Sequence, residues 1–190
     1  MGHSLEIKRY TLAEYLALEE AAEYKSEYYN GEIYAMSGST PEHSGIIVDC
    51  IRALGNAFDH KGCDVYDSNV MIKIERLNVV LYPDASVFCE PLTHDPNSTS
   101  LVINLSLILE VLSKGTSKYD KGAKFFKYQM IPSLLTYVLI EQAEPRVYVA
   151  NKNPLGTWAF EDYFGLDAVV DLKPHGISIA MRDIYRRIQF

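Results

Sequence analysis

The 190-residue chain contains no apolar run long enough to span a bilayer and no signal-peptide pattern, so a cytoplasmic location without a membrane partner is expected. Cysteine is scarce. Cys50, Cys63 and Cys89 are odd in number, widely spaced and set among apolar residues, and they read as reduced core side chains rather than a disulfide frame or a metal site. Positive charge is also short, with Lys+Arg 18 against Asp+Glu 25 and a net charge of −7, which excludes a protein that coats nucleic acid through bulk electrostatics. Several enzyme signatures are missing too. The Met36–Thr40 segment lacks G-x-S-x-G, and Lys114–Gly122 lacks G-x-x-x-x-G-K-[ST]. No G-x-G-x-x-G follows a strand, and the histidines at 3, 43, 60, 94 and 175 form no H-E-x-x-H. A covalent serine enzyme, a nucleotide-cofactor fold and a zinc site are therefore disfavoured.

What is present is ordinary globular composition, 48% hydrophobic and 23% charged, without internal repeat or low-complexity linker. A chain of this length buries roughly 70% of its unfolded surface, and residues 1–190 are expected to form one domain. Thr11 with Glu14 forms a capping box for a helix to about Glu23. The Asn30-Gly31 pair inside SEYYNGEIYAMSG predicts a β-hairpin with Glu27 just before its turn. Thr40, Pro41 and Glu42 open a helix to about His60, with Ile47, Ile51, Leu54 and Phe58 on its buried face. Residues 63–76 alternate as one half-buried strand, and the Leu77-Asn78 turn leads into the strand of Asp84. Strands at 134–142 and 146–152, shorter ones at 158–164 and 168–172, and a closing helix complete an α/β fold with a central mixed sheet.

The chemistry concentrates in residues 81–128. In a strand covering residues 101–112, Leu101, Ile103, Leu105, Leu107, Leu109 and Val111 share one face, and Val102, Asn104, Ser106, Ile108, Glu110 and Leu112 share the other. Glu110 thus ends an apolar strand, where a carboxylate costs several kcal/mol unless a cation or hydrogen-bond donors compensate it. Asp84, behind Pro83, has the same difficulty. Adjacent strands lie about 4.8 Å apart, so two such acids can converge on a divalent cation, with Mg²⁺ or Mn²⁺ suited to oxygen ligands. Ser117 with Asp120 reads as a helix cap, and Asp120, Lys124 and Tyr128 fall on one helical stripe that points Lys124 toward the acids. Two acids satisfied by salt bridges are the alternative. Lys114, Lys118, Lys121 and Lys127 surround the stretch as a basic rim or a solvated helix face.

The combination Pro83-Asp84, then Glu110-Val111-Leu112-Ser113, then Asp120-x-x-x-Lys124-x-x-x-Tyr128 resembles the Uma2 (DUF820) family of the restriction-endonuclease-like PD-(D/E)XK nucleases. Glu27-Tyr28-Tyr29-Asn30-Gly31-Glu32-Ile33 and His43 extend the likeness over about residues 11–150. The chain departs from the general nuclease pattern in carrying Leu112 where a lysine is expected, and the family supplies that lysine from the next helix, here Lys124. The resemblance implies a restriction-endonuclease-like fold and a metal-dependent endonuclease acting on DNA, with Glu27, Asp84, Glu110 and Lys124 as catalytic residues. It also implies Mg²⁺ or Mn²⁺ held by Asp84, Glu110 and the carbonyl of Val111, and a homodimer. The reading from a different class is a catalytically inactive nucleic-acid-binding or assembly module on the same fold. Without the resemblance, Glu27 reads as an exposed strand-edge acid and His43 as a structural hydrogen-bonding residue.

Overall fold

The computed structural model describes residues 8–190. Helix α1 (Leu12–Ala21) starts at Thr11, whose hydroxyl accepts the Glu14 N–H while the Glu14 carboxylate accepts the Thr11 N–H, as the capping box requires. Strands β1 (Ser26–Tyr29) and β2 (Glu32–Ala35) form the expected hairpin, with Asn30 at φ 45° and Gly31 at φ 104°. Both turn residues need positive φ, which is why this dipeptide sits here. Helix α2 (Pro41–Phe58) is capped by Thr40 and buries Ile46, Cys50, Leu54 and Phe58; Ile47 and Ile51 are only half-buried.

The stretch 63–76 is not one strand. It divides into β3 (Asp64–Asp67) and β4 (Met71–Ile74), because the Asp67 carboxylate accepts the Asn69 N–H and turns the chain between them. The next stretch divides likewise into β5 (Val79–Leu81) and β6 (Ala85–Phe88), either side of Pro83. After β7 (His94–Asp95), the expected strand 101–112 breaks into β8 (Ser98–Val102) and β9 (Leu107–Val111). Asn104 and Ser106 bond to loop and neighbouring-strand backbone there, at Thr93 and Val87, and so leave the ladder. Helix α3 (Ser117–Tyr119), a π-helical turn Asp120–Lys124 and α4 (Phe125–Tyr128) form one helical run. Strands β10 (Thr136–Ile140), β11 (Arg146–Lys152), β12 (Trp158–Phe164), β13 (Val169–Leu172) and β14 (Ile177–Ala180) precede the short α5 (Met181–Ile184).

The strands form two six-stranded mixed sheets, ordered β2-β1-β5-β4-β8-β7 and β12-β11-β10-β9-β6-β3, beside the β13-β14 hairpin. In the second sheet β9 runs parallel to β10 and antiparallel to β6. One face carries Leu107, Leu109, Val111, Val138 and Ile140 against α2. The other carries Ile108, Leu112, Tyr137 and Leu139 against Phe125 and Tyr128 of the helical run. The alternation expected along residues 107–112 is therefore present, and it turns Glu110 toward the helical run. Among the described residues no helix is long and apolar enough to cross a membrane.

The cysteine expectation is corrected. Cys50 is free and buried, whereas Cys63 and Cys89 form a disulfide. The pairing of Asp64 with Phe88 brings the two residues just beyond it face to face, with Cα atoms 4.0 Å apart.

His175 packs edge-on against Phe58 and its Nε2 is buried without a partner; burial lowers its pKa to about 4, with Lys61 repulsion adding to the shift. The neutral ring contributes stability that is complete above the ordinary histidine value and is lost as pH falls toward 4. Between pH 7 and pH 5 the loss from this residue is expected to be about 2 kcal/mol. Urea denaturation at both pH values should show His175→Gln with the smaller pH dependence; an equal dependence in the two proteins would contradict it.

Candidate active site

Four elements place the acidic and basic groups of the site. Glu110 is the fourth residue of β9, fixed by its register opposite Leu139 of β10. Asp84 precedes β6, and its Oδ2 accepts the Val111 N–H at 2.7 Å, so the end of β9 itself holds this carboxylate. Glu27 lies in β1, between β2 and β5 of the other sheet, and Lys124 ends the π-helical turn. The wider π turn and the burial of Asp120 and Lys124 turn both side chains inward. The helical run starts after Thr116 without a side-chain cap, so Asp120 does not pair with Ser117. Asp120 instead lies 3.7 Å from the Lys124 ammonium, which draws it into the site.

Lys124 Nζ is 2.6 Å from Glu110 Oε1 and 3.9 Å from Glu27 Oε1. The Tyr128 hydroxyl donates to the same Glu110 oxygen at 3.2 Å. Asp120, Lys124 and Tyr128 thus act on one side, as their spacing predicts. His43, in the first turn of α2, hydrogen-bonds the Val111 carbonyl through Nε2 at 3.0 Å, with Asp84 Oδ2 at 3.6 Å. Its Nδ1 is buried without a partner. A cavity of about 290 Å³ is lined by Glu27, His43, Asp84, Glu110, Asp120 and Lys124. The structure therefore brings Glu27, His43, Asp84, Glu110, Val111 and Lys124 together around one cavity.

Charge in this cavity is unbalanced, since Glu27, Asp84, Glu110 and Asp120 share Lys124 as their buried ammonium. Burial pushes Glu110 up to about 8; Lys124 opposes the shift, and Asp84 and Asp120 add to it. Burial likewise raises Asp84, against the Val111 N–H bond and His43. Burial disfavours the Lys124 charge, but Glu110, Glu27 and Asp120 together outweigh it and hold the ammonium protonated. Two carboxylates and a carbonyl at the ends of adjacent strands are the hard oxygen donors that Mg²⁺ or Mn²⁺ takes while keeping several waters. That donor chemistry fits. A closed cage does not exist, because among the described residues no group of three or more His, Cys, Asp or Glu is placed to hold a metal ion.

Several contacts were not foreseen. Glu27 is held by the Tyr29 hydroxyl, which is 2.6 Å from that of Tyr119, and Lys127 donates to Tyr119 at 3.3 Å. Tyr29 shares the face of Glu27 two residues along β1, a legible signal, whereas nothing in the sequence pairs Tyr119 with it. Lys121 is occupied by Glu141 at 2.7 Å; Lys118, on the helix, and Lys114, in the turn before it, are exposed and solvated.

The fold and this acidic site define a restriction-endonuclease-like protein. A profile of Uma2, described as "Putative restriction endonuclease", matches residues 12–182, and the chain belongs to that family. Two uncharacterized proteins of Synechocystis sp. are similar to it. One is 36% identical over 177 residues, covering 93% of this chain and 92% of its own length; the other is 34% identical over 161 residues, covering 85% and 91%. A crystal structure described as a putative nuclease belonging to DUF820, from Anabaena variabilis, superposes with a TM-score of 0.75 at 20% identity, covering 93% of this chain and 98% of that one. At that identity the likeness establishes the fold, an α/β architecture of mixed sheets flanked by helices.

Proposed function

We propose that this chain is a nucleic-acid-directed module of the restriction-endonuclease-like fold, with DNA as its partner, and that in the arrangement described it binds rather than cuts. The observation that carries this reading is closure of the site by its own groups: Lys124 on Glu110 at 2.6 Å and His43 on the Val111 carbonyl at 3.0 Å. One oxygen of each of Glu110 and Asp84, and the Val111 carbonyl, is already engaged by the protein.

A specific observation favours a second reading, a Mg²⁺- or Mn²⁺-dependent endonuclease acting on DNA. Four carboxylates face one lysine, and burial has raised both Asp84 and Glu110, so a divalent cation would relieve the repulsion. Asp84, Glu110 and the Val111 carbonyl would hold the ion, which when bound polarises a phosphodiester and lowers the pKa of a coordinated water. Lys124, freed from Glu110, would then stabilise charge on the phosphate, and Glu27 would hold Lys124 and its water in place. A cytoplasmic homodimer whose 190 residues act as one domain belongs to both readings.

Incubating the protein with single-stranded, duplex and branched DNA in Mn²⁺ separates the two. DNA retention without product supports the binding module. Cleavage that disappears in Glu110→Ala, with folding intact, supports the enzyme and overturns the first reading.

A further inference from the structure

Two lysines of the helical run act on the two oxygens of Glu27. Lys124 Nζ lies 3.9 Å from Oε1, while Oε2 accepts the Tyr29 hydroxyl. The Tyr29 oxygen is 2.6 Å from that of Tyr119, and the Tyr119 oxygen lies 3.3 Å from Lys127 Nζ. The ends of this chain fix its direction. A carboxylate only accepts, an ammonium only donates and each hydroxyl has one proton, so Lys127 donates to Tyr119, Tyr119 to Tyr29 and Tyr29 to Glu27. All three links point the same way and polarise one another toward Oε2. Packing holds the two phenols as well. The Lys127 ammonium lies 4.7 Å from the Tyr119 ring centroid and 5.2 Å from that of Tyr29, and Tyr34, opposite Glu27 in the β1-β2 hairpin, meets Tyr29 edge-on at 5.3 Å.

Three carboxylates surround the Lys124 ammonium, Glu110 at 2.6 Å, Asp120 at 3.7 Å and Glu27 at 3.9 Å. Only the first is at the distance of a charge-assisted hydrogen bond. The other two differ in how they are held. Asp120 stands on the same helical run, four residues before Lys124, and no hydrogen bond among the described residues fixes its carboxylate. Glu27 belongs to the other sheet, and the tyrosine chain fixes one of its oxygens while the other is left to Lys124. A displacement of about 1 Å, small for a flexible four-carbon stem, carries Nζ from 3.9 Å to bonding distance of Glu27 Oε1.

Resting on the metal-dependent reading above, we infer that Tyr29, Tyr119 and Lys127 are positioning residues: they hold Glu27 so that its Oε1 is a second position for the Lys124 ammonium, taken up when Glu110 is withdrawn to a cation. The buried ammonium then keeps a bonded carboxylate throughout, and the closed arrangement opens without leaving that charge unpaired.

The test uses the full chain at pH 8. In metal-free crystals of Glu110→Met, Lys124 Nζ should lie about 2.8 Å from Glu27 Oε1. An ammonium that settles on Asp120 instead, or does not move, overturns the proposal. Thermal unfolding reads the same coupling in solution. Tyr29→Phe should lower the melting temperature by about 3 °C in the wild-type background and by roughly twice that or more in Glu110→Met, where Lys124 depends on Glu27. Equal losses in the two backgrounds would mean that Tyr29 only packs. Tyr119→Phe, which breaks the chain one link further out, gives the same comparison where Tyr29→Phe does not fold. Mn²⁺ calorimetry separates this inference from the reading it rests on. Tyr29→Phe and Tyr119→Phe, neither of which removes a bond to Asp84, Glu110 or Val111, should weaken Mn²⁺ roughly tenfold. Lys127→Met should weaken it less, and Lys127→Arg should bind as the wild type does. Full Mn²⁺ affinity in every variant, with the ammonium unmoved in Glu110→Met, removes the positioning role and leaves the metal reading standing. No Mn²⁺ binding by the wild type, with the ammonium on Glu27 in Glu110→Met, removes the metal reading and leaves the second position standing.

Discussion

Replacing Lys124 with methionine is expected to lower the unfolding free energy by about 3–5 kcal/mol at pH 8, the usual cost of stripping the partner from a buried charge. Lys124 is 6% exposed and its ammonium lies 2.6 Å from Glu110, 3.7 Å from Asp120 and 3.9 Å from Glu27. Methionine fills much the same volume, so the loss is electrostatic rather than a cavity. For a chain of this length the melting temperature should fall by roughly 10 °C. The carboxylates left behind can accept protons, so the deficit should shrink toward pH 5. Lys121→Met, which removes a half-exposed pair with Glu141, should cost under about 1 kcal/mol. Thermal unfolding of the two variants at pH 5 and pH 8 decides the matter. A Lys124→Met protein as stable as the wild type at pH 8 would mean that the ammonium does not hold the site together.

The lysine was identifiable because its spacing from Asp120 and Tyr128 is helical, and one face of a helix is a property of sequence alone. The burial of Glu110 was legible for the same kind of reason, since period-two alternation through Leu107, Leu109 and Val111 dictates where residue 110 must point. Strand ends were less legible. The breaks after Asp67 and at residues 103–106 come from single side chains, Asp67, Asn104 and Ser106, capturing backbone groups that a ladder would otherwise use. The disulfide between Cys63 and Cys89 depends on which strands pair across a separation of 26 residues, and spacing along the chain carries no trace of that. His43 shows the limit for the site itself. A histidine in a first helical turn is unremarkable until the sheet places the Val111 carbonyl 3.0 Å from its Nε2.

Glu110→Gln should move two measurements in opposite directions. Burial has raised the Glu110 carboxyl from its ordinary value to about 8, so the ionised form destabilises the fold increasingly as pH rises from about 4.5 through 8. Glutamine removes that cost and still leaves Glu27 and Asp120 beside Lys124. The metal-free variant should therefore lie close to the wild type near pH 5 and exceed it by roughly 3 kcal/mol at pH 8. Mn²⁺ affinity measured by calorimetry should instead drop at least about tenfold, the low end of what ligand-shell substitutions cost, because one of only two anionic oxygen donors is gone. Asp84→Asn should lose Mn²⁺ in the same way, but it also weakens the acceptor for the Val111 N–H, so its stability gain should be smaller. Stabilisation of Glu110→Gln together with wild-type Mn²⁺ behaviour would leave the binding module standing without a metal. Destabilisation at pH 8 would mean that Glu110 is held ionised by Lys124 as a structural pair, and the excess of buried negative charge could no longer support the endonuclease reading.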